Sequence, residues 1–240
     1  MIRIEPVTGL GEIAPGDDLA DLLRPRVAPA ADTVLVVTQK IVSKAEDRYV
    51  DLHTVRPGAT AIDLAERTRK DPRLVELVLA ESSAVVRAAP NVLITRHRTG
   101  HVMANAGIDQ SNIGAGGNDR VLLLPLDADT SAAALHDALG IPVVIADSFG
   151  RPWRYGTVNV AIGAAGLPSL VDQRGDEDRD GRTLQVTQVA LADMIASAAG
   201  LAMGEASEGI PAAIVHGLAW HAVPRAASAL VRPLEEDLFR

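Results

Sequence analysis

The sequence predicts a mixed α/β fold, in which short β-branched runs alternate with amphipathic helical stretches. The run at 33–38 is apolar and rich in β-branched residues, as is typical of a strand buried on both faces of a sheet. The stretches at 59–70 and 127–139 instead place apolar residues at helical spacing. Strands on either side of the second stretch complete a β-α-β order, although we do not expect the strands to follow a simple Rossmann arrangement.

In the first half of the chain, capping and chain-breaking residues mark where elements begin and end. Asp17 and Asp18 precede a short helix as N-cap residues, and Pro57-Gly58 breaks the chain before the next helix. Asp71-Pro72 begins a further helix, which we expect to extend past Ser82-Ser83 until Pro90 closes it. The predicted elements are strands at 1–7, 33–38 and 91–95, and helices at 18–23, 59–70 and 72–89.

The second half of the chain gives the same kinds of signal. Asp127 starts a helix that ends before the turn at 140–142, and a strand then leads to Asp147. Residues 156–170 are mostly small, which predicts either close packing or passage beside a ligand. The remaining predictions are strands at 121–126 and 212–216, an alanine-rich helix at 186–201, and peripheral packing at 218–240.

Composition limits the class of protein. The chain has 240 residues, 48% hydrophobic and 22% charged, so it can bury a sizeable core in one large domain or two modest ones. A formal net charge of -8 argues against nucleic acid as a general partner, since phosphate backbones favour basic surfaces. The absence of cysteine leaves oxygen and imidazole groups as metal ligands and favours hard metal ions.

Two further absences predict a cytoplasmic protein. No stretch approaches the roughly 20 continuous apolar residues that a membrane span requires. Residues 1–5 lack the charged-then-apolar pattern of a signal peptide. We therefore expect the chain to work in the cytoplasm and without a membrane.

The segment at 101–112 ends in closely spaced acid and amide groups. Asp109 lies among Asn105, Ser111 and Asn112, so one carboxylate is surrounded by neutral polar groups. This mixture suits a magnesium or manganese ion that carries phosphates. The same residue types are common in ordinary polar turns, so the segment alone leaves both interpretations open.

A second segment, at 145–154, favours the metal-site interpretation. Its apolar run stops abruptly at Asp147 and Ser148. The β-α-β order places these two residues at the carboxyl end of a strand, where open α/β sheets usually bind their ligands.

The residues at 39–44 follow a buried strand directly and include Lys40 and Lys44. Two lysines at this place in an acidic protein are typical of the cationic side of a phosphate site. The alternative is an ordinary solvated helix start, in which Lys44 pairs with Glu46 or Asp47. The residues alone favour neither interpretation.

Two glycine-bearing loops, at 8–13 and 204–209, could approach a ligand closely with their backbones. From the residues alone, an ordinary turn is the commoner explanation of the first, and a routine helix C-cap explains the second. No G-x-x-x-x-G-K-[ST] motif occurs anywhere, so a P-loop NTPase is excluded and any nucleotide must bind in another way.

Two other patterns carry less weight. The D-x-D-x-D-G run at 176–181 begins like a calcium-binding loop, but its twelfth position is Thr187 in place of the closing glutamate, and we reject it. The basic residues at 96–98 and His101 could meet an anionic substrate, although a surface cluster that balances the acidic total is the commoner explanation.

Together, the motifs resemble those of the coenzyme F420 gamma-glutamyl ligase family. Its members show N-A-G-[IV]-D-x-S-N, matched at 105–112, and D-[ST]-x-G-R-P-W-R, matched at 147–154. The resemblance extends to V-V-T-Q-K-I-V-S-K-A-E at 36–46 and to M-G-E-A-S-E-G-I-P at 203–211. It covers nearly the whole chain.

This resemblance implies the architecture and the partners. It implies a single ligase-like domain at 1–240 with two lobes, a mixed sheet and flanking helices, which forms an intertwined homodimer. We expect none of the C-terminal nitroreductase-like, flavin-binding domain that follows in some relatives. The implied reaction is GTP-dependent: the carboxylate of a deazaflavin F420 precursor attacks the γ-phosphate, and the α-amine of L-glutamate then displaces phosphate from the acyl phosphate. Two Mg²⁺ or Mn²⁺ ions per site are implied, with K⁺ as a further candidate ion.

The resemblance also implies residue roles. Asp109, Asp147 and Lys44 would be catalytic, and Asp109, Asp147, Ser148 and Glu205 would hold the metal ions. The implied nucleotide-binding residues are Leu10, Gly11, Glu12, Ile13, Gln39, Lys44, Asn112, Gly204, Glu205, Ser207, Glu208 and Gly209.

The sequence departs from the family at 156–159, where G-T-V-N stands in place of G-Q-T-D. The loss of the acidic group at Asn159 bears on the acceptor or amino-acid specificity. Two other functions therefore stay open: a related amino-acid ligase for a different carboxylate acceptor, and a non-catalytic subunit that binds metal and nucleotide.

Overall fold

The computed structural model describes residues 1–30, 32–114 and 117–237. Strands and helices alternate along most of this length. No helix among these residues is long and apolar enough to cross a lipid bilayer. In chain order the elements are β1 (Arg3–Val7), α1 (Leu19–Leu23), β2 (Val34–Thr38), α2 (Gln39–Ala45), β3 (Tyr49–Asp51), α3 (Ala59–Thr68), α4 (Pro72–Ala80), β4 (Ser82–Ala89), β5 (Val92–His97), β6 (Val102–Ala104), β7 (Arg120–Leu122), α5 (Ala128–Leu139), β8 (Val143–Arg151), β9 (Arg154–Ala165), β10 (Val171–Asp172), β11 (Gln188–Val189), α6 (Leu191–Met203) and β12 (Ala212–His216).

The central sheet has five strands in the order β1-β12-β2-β8-β9. Its β2 and β8 strands pair in parallel, whereas the other neighbouring pairs are antiparallel. A Rossmann sheet would be mostly parallel. The structure therefore confirms the predicted mixed α/β class and the non-Rossmann strand order.

Both faces of the central sheet are buried, as the β-branched run at 33–38 predicts. Leu35 and Val37 lie in one core, together with apolar residues of α1 and α5. Val34 and Val36 lie in a second core, under α6. Because successive side chains of a strand point to opposite faces, a continuous apolar run serves both cores at once.

A third core lies beside the central sheet. It brings apolar residues of α3 and α4, such as Leu64 and Val75, against Leu93 of β5. This core belongs to a three-stranded sheet of order β4-β5-β6, and the β3-β7 pair adds Val121 to it. The segment that leads to Asp109 starts from β6 of this smaller sheet.

The predicted helix at 72–89 is wrong in its second half. Helix α4 ends at Ala80, and Ser82–Ala89 instead forms β4, which pairs with β5. Val85 and Val86 are β-branched and favour an extended backbone. Pairing with β5 then supplies the backbone hydrogen bonds that a continued helix would have made.

Other elements differ from prediction mainly at their ends. Helix α6 starts at Leu191 because Gln188–Val189 pairs with β10, and β7 is shorter than the predicted strand at 121–126. Strand β8 runs through Asp147 to Arg151, so Asp147 does not end a strand. The parallel pairing of β2 with β8 does stop at Ala146, and Asp147 therefore follows directly after the parallel part of the sheet.

The small residues at 156–170 form most of β9, and they reflect close packing against α5. A Cβ atom built on Gly163 would lie 2.2 Å from the carbonyl oxygen of Ala128. Asp129 accepts a 2.9 Å hydrogen bond from the backbone N–H of Ala164 and a 2.8 Å one from that of Ala227. The first turn of α5 thus rests directly on this edge strand.

Substitution of Gly163 by alanine tests this packing. We expect Gly163→Ala to lower the free energy of unfolding by about 1–3 kcal/mol or more, because the Ala128 backbone can move only if α5 moves with it. Chemical denaturation followed by circular dichroism measures the loss. The matched control is Gly150→Ala in the same hairpin, where a built Cβ has no heavy atom within 4 Å. Equal unfolding free energies for the two variants would contradict the account.

Candidate active site

A cleft of about 660 Å³ opens where β2 and β8 end their parallel pairing. Its wall combines the segments that the sequence singled out: the loop at 11–12, the start of α2, the loop at 109–114, β8, and the loop at 203–211. These segments are far apart in the chain. The fold brings them together at one edge of the central sheet.

Asp109 is held in the cleft by backbone and side-chain contacts. Its backbone forms a two-way bridge with Leu122, with hydrogen bonds of 2.8 and 2.9 Å. The Gln39 amide donates to the carboxylate at 2.6 Å, and the Lys40 ammonium lies 3.5 Å from its other oxygen. Burial raises the pKa of Asp109, and the Lys40 charge opposes that shift.

Asp147 faces the same cleft and has fewer partners. The backbone N–H of Ser148 donates to its carboxylate at 2.8 Å. Burial, followed by the nearby negative charge of Asp109, raises the pKa of Asp147 to about 7. Two acidic side chains therefore share a poorly solvated space, and the charge of one opposes ionisation of the other.

Glu205 completes the acidic set from the loop after α6. The Ser148 hydroxyl donates to one carboxylate oxygen at 2.5 Å, and the Asn159 amide donates to the other at 2.5 Å. Asn159 is itself buried, and the Ser197 hydroxyl donates to its backbone carbonyl oxygen. The departure at Asn159 thus lies against Glu205, where its amide can donate a hydrogen bond that an ionised aspartate could not.

Lys44 reaches the cleft but forms neither of the local pairs that the sequence suggested. Its ammonium binds the Glu12 carboxylate of the first glycine loop. The Lys44 side chain is only 7% exposed, whereas that of Glu12 is 68% exposed. Glu46 instead accepts hydrogen bonds from Ser131 and from the backbone of Leu126.

A hydrogen bond joins the loop at 109–114 to the loop at 203–211 across the cleft. The Asn112 amide donates to the carbonyl oxygen of Ala206 at 2.8 Å. The Glu208 carboxylate accepts a hydrogen bond from the backbone N–H of Ala206. Gly204 has a φ of +73°, a backbone conformation that glycine adopts without strain. The predicted residues Gly204, Glu205, Ser207, Glu208 and Gly209 all line the cleft.

Two of the predicted nucleotide residues point elsewhere. The side chains of Leu10 and Ile13 are buried in the core that contains α1 and α5. Gly11 and Glu12, between them, do line the cleft. A nucleotide could therefore meet Leu10 and Ile13 only through their backbones.

The basic residues at 96–98 do not line this cleft. Arg96 pairs with Asp237 and Arg98 with Glu81, so these charges are used in structural ion pairs. Lys40, the other lysine of the proposed cationic side, does line the cleft. Its ammonium lies beside Asp109 and donates to the Ser111 carbonyl oxygen at 3.0 Å.

The donor set fits a hard divalent ion that shares its coordination with a ligand. Within the described ranges, no three acidic or histidine side chains converge into a ready-made metal cluster. Mg²⁺ seldom needs one, since it is usually held by one or two carboxylates together with waters and substrate phosphates. Asp109 and Asp147 supply such a pair, and a divalent ion would offset the repulsion between them.

Comparison with known proteins identifies the family of the chain. The model of the F420-0:Gamma-glutamyl ligase family matches residues 9–217. The chain belongs to this family. It is therefore a ligase of the type that joins an acid to an amino acid.

Similar ligases cover all or most of the chain. A protein of Methanopyrus kandleri named coenzyme F420:L-glutamate ligase is 45% identical over 249 residues, which span 100% of this chain and 98% of the relative. One of Methanothermobacter thermautotrophicus with the same name is 41% identical over 252 residues, 100% of this chain and 99% of the relative. A third, of Natronomonas pharaonis, is 47% identical over 215 residues, 87% and 83% of the two chains.

The carboxyl of Asp147 predicts a pH-dependent stability for the metal-free ligase. In the folded protein this carboxyl stays protonated up to about pH 7, whereas in the unfolded chain it ionises near 3.8. The folded state binds more protons between these two values, so this group's contribution to stability falls as the pH rises and then levels off.

Asp147→Asn removes this pH-dependent loss. The free energy of unfolding of the variant should exceed that of the wild type only slightly near pH 4, and by about 1–3 kcal/mol at about pH 8. Urea denaturation in the presence of a chelator measures it at both pH values. Asp137→Asn, an exposed site on α5, serves as the control. An advantage of the same size at both pH values would show that the Asp147 carboxyl titrates normally.

Proposed function

We propose that the chain catalyses the GTP-dependent addition of L-glutamate to the deazaflavin precursor coenzyme F420-0, in a reaction that requires two divalent ions. The observation that carries the proposal is the meeting of Asp109 and Asp147 in one cleft with two lysines. Relatives at 45% and 41% identity bear the name coenzyme F420:L-glutamate ligase, which supports the choice of substrates.

The metal ions would be held by Asp109, Asp147, Ser148 and Glu205. Mg²⁺ or Mn²⁺ bound there would neutralise the triphosphate and stabilise the charge that develops on the transferred phosphoryl group. The Ser148 hydroxyl and the Asn159 amide fix the orientation of the Glu205 carboxylate, which lines the same cleft. Potassium remains a further candidate ion.

The nucleotide would lie between the two glycine loops and α2. Lys40 and Lys44 are four residues apart, so both ammonium groups project from one face of α2 toward the cleft. The partners of these lysines are carboxylates in this structure, and phosphate oxygens would compete for the same ammonium groups. Glu12 is mostly exposed and can move away at little cost when a phosphate arrives.

Amide formation from a free carboxylate is unfavourable in water, so the acceptor must first be activated. Phosphoryl transfer from GTP to the acceptor carboxylate gives an acyl phosphate and GDP. The α-amine of L-glutamate then attacks the acyl carbon, which releases phosphate and forms the amide. Gln39 holds Asp109 in place during these steps, and Lys40 offsets the negative charge of the site.

Two further proposals concern the whole protein. We expect a homodimer, which light scattering of the purified protein would reveal as twice the chain mass. We also expect a cytoplasmic location, in keeping with substrates that are small and charged.

The activity assay combines the purified protein with GTP, L-glutamate, coenzyme F420-0 and Mg²⁺ or Mn²⁺. The expected result is GDP release together with a mass gain of one or more glutamyl residues on the acceptor. GDP release with another carboxylate alone would indicate the related amino-acid ligase. Tight GTP binding with no GDP formation from any acceptor would indicate a non-catalytic subunit.

Asp109→Asn tests the role of the carboxylate pair. Asparagine keeps the shape and still accepts the Gln39 hydrogen bond, so the fold should survive. Loss of the charge should lower the turnover number by at least about 100-fold, as expected for a group that stabilises transition-state charge. GDP release and the melting temperature are measured together, with Asp137→Asn as the control. Undiminished turnover in a folded variant would rule out this role for Asp109.

A further inference from the structure

A second cavity, of about 340 Å³, lies along β8 beyond the first cleft. Its walls combine apolar side chains, one phenyl ring and one imidazole with two arginines and two aspartates. Volumes of this order suit small organic ligands. The lining residues that matter here are Phe149, Val160, His101, Leu230, Arg96 and Arg232.

The register of the β8-β9 hairpin connects this cavity to Asp147. Asp147 pairs with Val160, and Ser148 pairs with Asn159. Paired residues of antiparallel strands share a face, and faces alternate along each strand. Asp147, Phe149 and Val160 therefore lie on one face, whereas Ser148 and Asn159 lie on the other face with Glu205.

The distance along β8 from Asp147 to the second cavity is short. Phe149 is two residues beyond Asp147, which corresponds to roughly 7 Å in an extended strand. A molecule that filled the second cavity could thus extend a short polar arm to the Asp147 carboxylate. The first cleft has to accommodate the nucleotide, so a bulky co-substrate needs such additional space.

The imidazole of His101 shapes one wall. It meets the Phe149 ring edge-on, with centroids 5.8 Å apart and planes at 86°. Burial lowers the pKa of His101 to about 4, so the ring is neutral at physiological pH. Among the described residues, its ring nitrogens have no hydrogen-bond partner. A neutral ring with free nitrogens beside a phenyl group suits a planar heteroaromatic ligand.

The charged side chains that line the cavity balance each other, since Asp193 and Asp237 line it together with the two arginines. Arg96 and Arg232 both line the cavity. Arg96 is paired with Asp237 at 3.0 Å, whereas Arg232 is exposed and has N–H donors to spare for a polar group of a ligand.

We propose that the second cavity binds the planar heteroaromatic body of the carboxylate-bearing substrate, with its carboxylate directed along β8 toward Asp109 and Asp147. The inference rests on the proposed function for the identity of that substrate, a deazaflavin. It assigns Phe149, Val160 and His101 as the residues that determine which acceptor is accepted.

Val160→Phe tests the assignment by filling the cavity. Two quantities are measured: the affinity of the metal-free protein for coenzyme F420-0, from the change in deazaflavin fluorescence, and the KM values for acceptor and GTP. We expect acceptor binding to weaken and the acceptor KM to rise, each by at least about tenfold, with the KM for GTP within about twofold of wild type. Val223→Phe, at a site 70% exposed and outside both cavities, is the matched control.

If Val160→Phe does not fold, His101→Leu replaces it, with a weaker but parallel effect expected. Unchanged acceptor binding and KM in either folded variant would overturn the inference, and so would a wild type that binds no deazaflavin. The proposed function can fail separately. A wild type that binds F420-0 through this cavity but releases no GDP would leave the cavity assignment standing and remove the ligase assignment.

Discussion

The repulsion between two partly buried acids is the constraint on which the rest of the site depends. Asp109 and Asp147 face one cleft, and the charge of Asp109 contributes to the raised pKa of Asp147. Lys40 offsets part of this charge, at 3.5 Å from Asp109, and the Gln39 amide fixes the orientation of that carboxylate. A cleft with excess negative charge attracts cations. A divalent ion bound between the two acids would offset this repulsion and so stabilise the folded protein.

The scaffold meets this constraint by placing Gln39, Lys40 and Asp147 on rigid elements. Gln39 and Lys40 are the first residues of α2, immediately after the buried strand β2. The parallel partner β8 delivers Asp147 next to them, one residue after its pairing with β2 stops. Side chains on strand and helix ends are held more precisely than side chains on free loops. Asp147 therefore cannot move away without disturbing the central sheet, and the two-way bridge to Leu122 of β7 holds Asp109 in place.

Much of this arrangement could be predicted from the sequence, since polar residues that interrupt apolar runs indicate strand ends. Local patterns could not give the partners that lie far along the chain. Lys44 pairs with Glu12, which is 32 residues away, and not with the neighbouring Glu46 or Asp47. The sequence at 82–89 does not distinguish helix from strand, because its small and apolar residues carry no clear period, and only the pairing with β5 makes it a strand. The sequence shows that Asn159 departs from the family motif, but only the folded structure shows that its side chain contacts Glu205.

That contact depends on a bulge in the β8-β9 hairpin. Ile145 pairs with Gly163 and Ala146 with Ala161, so Ile162 is the extra residue and its side chain enters the core. Without the bulge, continuous register would pair Phe149 with Asn159, on the face of Asp147. With it, Asn159 lies opposite Ser148, and both reach Glu205. One inserted residue thus separates the hairpin into a face that holds Glu205 and a face that carries Asp147 toward the second cavity.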